Sequence, residues 1–503
     1  MSDAVSREKV IADWFKVRDN QILFGIILFA ILIRIYYFSL TQSQPLWWDE
    51  ADYLSIAKSW IGVVNWEYNA VRPVLLPLIA SIAFKLGLGE NFLRFGVILS
   101  SVLSIPLIYG IGRIMFNKRA GLVAAFILSV FWSVSFYSHR ILTDVPVMFL
   151  WLGTIYFLLK GIEEKGNTKL MAIGGIFLTL SFLMKYSSAV LIIILGIYSL
   201  TTKKGKILKD KGMLYFWGSS LVSVIPFFLW QKMSFGSFLA FLTTATGEPK
   251  ARPFIESLIN QTLFSVELMH FVLVGLFLIG LVITLFDMFI EYDFIFKERS
   301  RANKSYLLLL WLVLSLLFFG WLNYGNYMDE RYYFIFYPAI FLFAANFVSK
   351  LSFWSDRNKI FSGVVIIMLV FAGVGYQQIP HGDSIIKTKI DSFRQIKDAG
   401  EWVNVNSEVG RVSLVTEEFA ELTYYTERQL YQANNISELN ELIDEYDPKY
   451  IIVSFYYTPG YPQAIEMIQS IFQDPSRFVQ VQAYGPAVDR NGQIPMASVF
   501  EII

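Results

Sequence analysis

The amino-acid sequence predicts an α-helical polytopic membrane protein of about 11 transmembrane helices, followed by a small C-terminal α/β extracytoplasmic domain. Three observations lead to this fold class. Of the 503 residues, 55% are hydrophobic and 17% aromatic, which exceeds the apolar content of ordinary soluble proteins. The apolar residues form repeated long runs between Gln21 and Tyr376. No such run follows in residues 378–503.

Eleven segments have the composition of membrane spans, which need about 20 mostly apolar residues. The fifth and sixth are short and are separated only by Lys185-Tyr186-Ser187-Ser188. They form either a hairpin of full spans or a re-entrant pair. The predicted spans are 21–40, 92–112, 119–138, 145–160, 170–184, 187–201, 213–231, 262–286, 305–322, 333–349 and 360–377.

The distribution of Lys and Arg predicts the orientation. With the N-terminus inside, 22 of these residues fall in cytoplasmic segments and ten in external ones, as the positive-inside rule requires. The protein is therefore expected in the cell membrane, with its C-terminus extracytoplasmic. The predicted divisions are a cytoplasmic N-terminus (1–20), a transmembrane domain (21–377) with a long first external loop (41–91), and an extracytoplasmic domain (378–503).

The C-terminal 126 residues have a globular pattern. Helix-like stretches at 392–405 and 437–446 alternate with apolar strands at 411–415 and 450–454, which predicts a small α/β domain. This part has a net charge of −9, whereas the rest of the chain has +10. The overall net charge of +1 gives no reason to expect nucleic acid as a partner.

The absence of cysteine excludes a disulfide framework, a thiolate metal site and a cysteine nucleophile. With three histidines, a His-rich metal site is also disfavoured.

The first external loop contains the densest group of candidate functional residues. Trp47-Trp48-Asp49-Glu50-Ala51-Asp52-Tyr53 opens an amphipathic stretch, and Arg72-Pro73 follows in the same loop. Asp49 and Glu50 would begin a helix near the depth of the lipid headgroups. Carboxylates at a helix start are often caps, so this motif alone leaves capping and catalysis equally open.

Further charged residues recur at the outer ends of other predicted spans, namely Arg140, Asp144, Lys185 and Arg331. Each one alone is best explained as an interfacial anchor or an ion pair. Ionisable groups beside membrane spans are costly, however, and tend to be paired or functional. Their occurrence on one side favours a site where Arg or Lys binds a phosphate and a carboxylate handles a proton.

In this order, the motifs resemble the polyprenyl-phosphate-sugar-dependent glycosyltransferases of superfamily C. The resemblance covers roughly residues 20–380 and is nearest to the branch that holds protein O-mannosyltransferases and the aminoarabinose transferase of lipid A. Arg72 departs from the aminoarabinose branch, which has Lys in a comparable context. The motifs are Asp49-Glu50-x-x-Tyr53, Arg72-Pro73, Arg140-x-x-x-Asp144-x-Pro146, Gly175 to Lys185-Tyr186, and Arg331-Tyr332 before a span with Pro338.

The resemblance implies a role for each of these positions. Asp49 would be the general base for the acceptor hydroxyl, and Asp144 the second acid of the site. Arg72, Lys185 and Arg331 would bind the donor phosphate, with Tyr332 as a hydroxyl partner. Supporting roles would fall to Glu50, Tyr53 and Arg140. Asp49 and Asp144 would also be the ligands of a divalent cation, if the reaction needs one; no other cofactor is implied.

The implied reaction is transfer of a sugar from a polyprenyl-phosphate donor to an extracytoplasmic acceptor hydroxyl of a lipid, glycan or protein, with inversion. Two other functions stay open: a secondary transporter, and a polymerase or ligase of lipid-linked glycans. Transporters favour charges near the bilayer midplane and internal repeats, whereas the charges here gather at one face. A non-catalytic receptor finds no support in the C-terminal part.

Overall fold

The computed structural model describes residues 13–204, 206–243, 253–322, 329–416, 420–455, 462–487 and 495–503. The α-helices of these residues are α1 Arg18–Thr41, α2 Trp48–Trp60, α3 Leu75–Lys85, α4 Glu90–Met115, α5 Lys118–Val130, α6 Trp132–Tyr137, α7 Asp144–Glu163, α8 Thr168–Met184, α9 Ala189–Lys203, α10 Lys211–Phe235, α11 Ala240–Thr243, α12 Phe254–Ile290, α13 Arg301–Leu322, α14 Tyr337–Asn358, α15 Gly363–Lys389, α16 Arg394–Asn406, α17 Ala420–Thr426, α18 Ile436–Tyr446 and α19 Pro462–Gln473. Short 3₁₀ helices lie at Tyr186–Ser188, Ile207–Lys209, Tyr292–Phe294 and Glu330–Ile335. The strands are β1 Ser413–Val415, β2 Leu430–Gln432, β3 Tyr450–Ser454, β4 Phe478–Ala487 and β5 Pro495–Ile502.

Each of the eleven predicted spans corresponds to helix in the structure, and the predicted fold class is confirmed. Among the described residues, eight helices are long and apolar enough to cross a membrane. Three predicted spans are not among these eight helices. The third breaks into α5 and α6, and the fifth corresponds to α8, which has only 17 residues. The tenth corresponds to α14, whose second half is polar and contains Lys350, Asp356 and Arg357.

The helices and sheet divide into two compact units that are interleaved along the chain. The first holds residues up to Ser39, Pro73–Leu75 and Arg94–Ile386, and the second holds Leu40–Arg72, Leu76–Leu93 and Lys387–Ile503. The second unit thus combines most of the first external loop with the C-terminal domain. The domain boundaries expected from the sequence stay a prediction. The one expected at 378 falls inside α15, which runs on to Lys389.

The first unit is a bundle in which α8 packs between α7 and α10, and α12 packs against α13 and α14. The break between α5 and α6 shapes the part of the bundle that carries candidate residues. Phe131 has an extended ψ of 121°, and the backbone N–H of Trp132 donates to the side chain of Gln378 at 3.2 Å. The chain then turns after Tyr137 and enters α7 at Asp144.

The second unit contains a five-stranded sheet in the order β2-β1-β3-β5-β4. The β1 strand pairs in parallel with β2 and β3, whereas β5 pairs antiparallel with β3 and β4. Alternate residues of a strand face opposite sides, and both sides of β3 are buried. Tyr450 and Ile452 join a core with α16, whereas Ile451 and Val453 join a core with α18 and α19. The predicted α/β domain therefore has helices on both faces of its sheet.

Candidate active site

In the second unit, α2 begins at the Trp-Trp-Asp-Glu motif. The carboxylate of Glu50 accepts a hydrogen bond from the backbone N–H of Trp47 at 2.9 Å, which satisfies a donor at the helix start. Glu50 is fully buried, and the following residues as far as Ala57 are buried or nearly so. This burial fixes the helix, and with it the direction in which Asp49 and Asp52 project.

Arg72 joins the carboxylates of Asp49 and Asp52. Its Nη1 donates to Oδ1 of Asp49 at 3.0 Å, and its Nε lies 2.6 Å from Oδ2 of Asp52. The two aspartates stand three residues apart on α2, a spacing that places side chains on one face of a helix. One guanidinium therefore holds both acids of this face.

Aromatic side chains surround the Arg72 ion pairs. The indole N–H of Trp66 donates to Oδ1 of Asp52 at 2.9 Å. The Arg72 guanidinium carbon lies 5.0 Å from the ring centroid of Trp48 and 5.4 Å from that of Tyr53, within cation–π range. The Tyr68 hydroxyl donates to the Arg72 carbonyl. These contacts leave Arg72 few alternative orientations.

Burial and charge shift the pKa values of this cluster. Burial raises the pKa of the Asp52 carboxyl, and the nearby Asp49 charge adds to this effect, against the opposing influence of Arg72 and Trp66. Burial alone would lower the pKa of the Arg72 guanidinium, but Tyr53, Asp52 and Asp49 outweigh it and raise that pKa above its ordinary value. Arg72 therefore stays charged, whereas Asp52 holds its proton to a higher pH than an exposed aspartate does.

In the first unit, Asp144 and Lys185 form an ion pair between neighbouring helices. Asp144 is the first residue of α7 and is almost fully buried. Lys185 ends α8 in an extended conformation, just before the 3₁₀ turn Tyr186–Ser188. The indole N–H of Trp151 donates to Ser188 Oγ at 2.9 Å, which ties α7 to this turn. The segment between the fifth and sixth predicted spans thus places Lys185 beside the carboxylate at the start of α7.

Arg331 and Tyr332 lie in the 3₁₀ helix Glu330–Ile335. The side chain of Asp329 accepts from both the backbone N–H and the guanidinium of Arg331, with Nη2 at 2.5 Å. The Tyr332 ring stacks on Phe319 at 6.0 Å between centroids, and Lys185 Nζ lies 5.6 Å from its centre. Lys185 therefore connects Asp144 with Tyr332 in this unit.

Arg140, predicted as a supporting residue, is almost fully buried in the loop before α7. Its guanidinium lies 6.0 Å from the Phe136 ring. Three residues before Arg140, the Tyr137 hydroxyl donates to the carboxylate of Glu330 at 2.6 Å. This bond links the end of α6 to the 3₁₀ helix that carries Arg331.

The described residues do not fit a metal ion held by the protein alone. They contain no cluster of three or more His, Asp or Glu side chains. The two predicted ligands each face a base, Asp49 facing Arg72 and Asp144 facing Lys185. A divalent cation at either aspartate would compete with that base.

Within the two units, the structure brings together Asp49 with Arg72, and Asp144 with Lys185 and Tyr332. Two residues to which the sequence assigned no role, Asp52 and Trp66, belong to the Arg72 cluster. A third, Asp329, pairs with Arg331. The spacing of Asp49 and Asp52 was a usable signal, because residues three apart share a helix face. Trp66 and Asp329 carried no comparable signal. The catalytic and binding roles of all these residues stay predictions.

A family model matches residues 71–230, a segment that includes Arg72, Asp144 and Lys185. The family is described as dolichyl-phosphate-mannose-protein mannosyltransferase. Among proteins with curated functions, none matches this chain in sequence.

Several solved structures share the fold. ArnT from Cupriavidus metallidurans, bound to undecaprenyl phosphate, matches with a TM-score of 0.62 at 13% identity, over 95% of this chain and 98% of that one. The oligosaccharyltransferase AglB from Archaeoglobus fulgidus, in complex with an inhibitory peptide and a dolichol-phosphate, matches with a TM-score of 0.57 at 13% identity, over 88% of this chain and 70% of that one. The arabinofuranosyltransferase AftD from Mycobacteria matches with a TM-score of 0.56 at 12% identity, over 95% of this chain and 41% of that one.

At these identities the likeness establishes the fold. The family model adds a sequence match across the segment that holds three of the predicted site residues. Together they support a membrane glycosyltransferase that uses a polyprenyl-phosphate-linked sugar. The chain is a multi-pass membrane protein with the fold of superfamily C, and its resemblance to the polyprenyl-phosphate-sugar glycosyltransferases of that superfamily is confirmed.

Proposed function

We propose that this protein transfers a single sugar from a polyprenyl-phosphate donor to a hydroxyl group of a lipid, glycan or protein outside the cytoplasm, with inversion. The observation that carries the proposal is the Asp144–Lys185 pair, because it lies inside the family-matched segment and sets a lysine beside a buried acid. Two of the structurally similar proteins were solved with a polyprenyl phosphate, namely undecaprenyl phosphate and dolichol-phosphate.

The proposed reaction is one displacement. Asp49 takes the proton of the acceptor hydroxyl, and the acceptor oxygen forms a bond to the anomeric carbon. The bond from that carbon to the phosphate oxygen breaks, and its electron pair leaves with the polyprenyl phosphate. Attack opposite to the leaving group inverts the anomeric centre.

The basic residues act on the leaving group. Negative charge grows on the phosphate as its bond to the sugar breaks, so a fixed cation beside it stabilises the transition state more than the ground state. Arg72, Lys185 and Arg331 supply such charges, with Tyr332 as a hydroxyl partner. In the structure each of these cations stands against an aspartate. Binding of the donor phosphate therefore replaces or shares an existing ion pair, which holds the cation in place beforehand.

The direct test is release of free polyprenyl phosphate. Purified full-length protein is supplied with a polyprenyl-phosphate-linked sugar and an envelope extract as the source of acceptor. Asp49→Asn should lower the rate by at least about 100-fold, the usual contribution of a general base. Asp144→Asn should also be impaired. The matched control is Glu164→Gln, which removes a carboxylate just past the opposite end of α7 and should leave the rate unchanged.

Full activity of Asp49→Asn would eliminate its role as the base. A labelled solute that accumulates in proteoliposomes without any glycosyl transfer would instead favour the transporter. Products that contain several added sugars from one lipid carrier would favour the polymerase or ligase.

A further inference from the structure

An apolar groove lies between α9 and α10, two helices that are connected through the short 3₁₀ helix Ile207–Lys209. Its cavity volume is about 350 Å³. A Cβ atom built on Gly196 meets no other atom within 4 Å, so the groove is open at this glycine. The side chains that line it are apolar or aromatic and include Ile192, Leu200, Leu208, Leu214 and Trp217.

Lysines crowd the end of the groove. Residues 203–211 contain five lysines and one acid, Asp210. Lys203 is neutralised, because its Nζ lies 2.5 Å from Asp210 and also pairs with Glu298. The other four are exposed, and within the described part of the chain none has a carboxylate at ion-pair distance: Lys204, Lys206, Lys209 and Lys211. Basic residues at a membrane surface attract anionic lipid, each by about 1 kcal/mol.

Trp217 supplies a hydrogen-bond donor at an intermediate depth. Its indole nitrogen is buried and finds no acceptor among the described residues. A buried donor without a partner is unfavourable, so an occupant that brings an acceptor to this point gains stability. Trp217 lies six residues beyond Lys211 on α10, which corresponds to roughly 9 Å along the helix axis.

We propose that this groove is a binding site for an anionic glycerophospholipid. The phosphate contacts the lysines, a glycerol ester carbonyl accepts from the Trp217 indole, and an acyl chain fills the groove. Phosphate, ester carbonyl and acyl chain follow one another along the lipid in the same order as the lysines, Trp217 and the apolar groove. The positive-inside rule places these lysines at the cytoplasmic surface, where anionic lipids are enriched.

This site differs in chemistry from the proposed donor site. A polyprenyl phosphate has an anionic head and an apolar tail, but it has no ester carbonyl for the Trp217 indole. The proposal also does not depend on the transferase reaction, since a transporter or a polymerase with the same groove would bind the same lipid.

The test compares phosphatidylglycerol with phosphatidylcholine of the same acyl chains. Full-length protein is exchanged into nanodiscs of each lipid and of mixtures, and the lipids that remain bound after transfer to detergent are counted by native mass spectrometry. We expect phosphatidylglycerol to be retained with at least about a tenfold preference. Gly196→Leu, which fills the groove, should lose this retention.

Three variants separate the parts of the site. Gly218→Leu is the matched control, since a Cβ at Gly218 also meets nothing within 4 Å and Gly218 does not line the groove. It should retain phosphatidylglycerol. Lys206→Gln combined with Lys209→Gln should abolish the preference while some lipid still binds. Trp217→Phe should weaken retention of phosphatidylglycerol by a few-fold.

Equal retention of the two lipids by the unmodified protein would overturn the proposal. So would undiminished retention by Gly196→Leu. If polyprenyl phosphate displaces phosphatidylglycerol at equal concentration and is unaffected by Trp217→Phe, the groove belongs to an isoprenoid tail and the proposal fails.

Discussion

Asp52 holds Arg72 more closely than Asp49 does. The Arg72 Nε lies 2.6 Å from Asp52, whereas its Nη1 lies 3.0 Å from Asp49. Asp52 is the more deeply buried of the two acids and is itself held by Trp66. Asp52 therefore positions the guanidinium and leaves Asp49 the more accessible carboxylate. This arrangement is suited to a pair in which Asp52 orients Arg72 and Asp49 reacts with the acceptor hydroxyl.

Asp52→Asn should mainly affect use of the donor. The amide keeps the shape and an acceptor for Trp66 but loses the charge that orients Arg72. We expect KM for the donor to rise about tenfold, equivalent to about 1.4 kcal/mol, with little change in kcat. Initial rates at varied donor concentration measure both constants. Asp49→Asn is the contrast, since loss of a base lowers kcat. A fall in kcat alone for Asp52→Asn would contradict the positioning role.

The raised pKa of Asp52 predicts a pH dependence of stability. A carboxyl whose pKa is higher in the folded state contributes stability that is present below its unfolded pKa and is lost as the pH rises through the folded pKa. As the pH rises above the ordinary pKa of an aspartate, the unmodified protein should therefore lose stability relative to Asp52→Asn. Thermal unfolding of both proteins over a pH series that starts below that ordinary pKa measures the difference. A difference that stays constant with pH would show that Asp52 has an ordinary pKa.

The Lys58–Glu427 pair should couple α2 to the C-terminal part of the second unit. Lys58 Nζ donates to Glu427 at 2.7 Å and to the Tyr424 carbonyl at 2.9 Å, and it lies 3.7 Å from the Tyr424 ring centre. Burial lowers the pKa of Lys58, and Glu427 opposes this effect. A double-mutant cycle of Lys58→Met and Glu427→Gln should give a coupling of about 1 kcal/mol in unfolding free energy, a value that allows for the partial exposure of Glu427.

The control for this cycle is the Arg411–Asp447 pair in the same unit. Its members are 3.3 Å apart, but Asp447 is almost fully exposed. A double-mutant cycle of Arg411→Gln and Asp447→Asn should therefore give no measurable coupling. If both pairs give the same effect, Lys58 has no special role in joining α2 to α17.

Gly175→Ala should destabilise the packing of α8 on α10. A Cβ at this position would overlap the Phe216 carbonyl and the Ser219 hydroxyl. Overpacking of this kind costs about 1–3 kcal/mol, so the unfolding temperature should fall by several degrees. Because Lys185 directly follows α8, donor use should weaken as well. Gly218→Ala, where the Cβ meets open space, should be neutral, and equal behaviour of the two variants would refute the packing argument.

Local patterns were sufficient to predict most of the helices and the centre of the sheet. Composition and length identify the spans because lipid imposes a continuous apolar run on a helix. Strand β3 was predicted from four consecutive apolar or aromatic residues, Tyr450 to Val453, followed by Ser454. Strands β4 and β5 and helix α19 were not predicted. Strand β2 and helix α17 were not predicted either, because β2 has three residues and α17 carries Glu421, Thr423 and Tyr424, which are buried by tertiary contact and not by an apolar pattern.

The candidate site was predicted only as a set of residues. The sequence does not predict that the Arg72 side chain contacts Asp49 and Asp52 on α2, because that contact depends on the path of the loop between Trp60 and Arg72. The same holds for Lys185 and Asp144, which lie 41 residues apart. Ion-pair partners across the fold depend on tertiary geometry, and for that reason the sequence did not identify Asp52 as a partner of Arg72. Asp329 lies only two residues from Arg331, but no sequence pattern marked it as the partner of that arginine.

The interleaving of the two units has a consequence for synthesis in the cell. Helix α2 buries Glu50–Ala57, and part of this face meets α17, which lies beyond Lys387 in the sequence. Roughly 360 residues separate Trp60 from Ala420. At about 5–20 residues per second, the ribosome needs on the order of 18–72 s to make them. For that interval the helix that carries Asp49 has emerged without its partner, so maturation of this loop must await the last quarter of the chain.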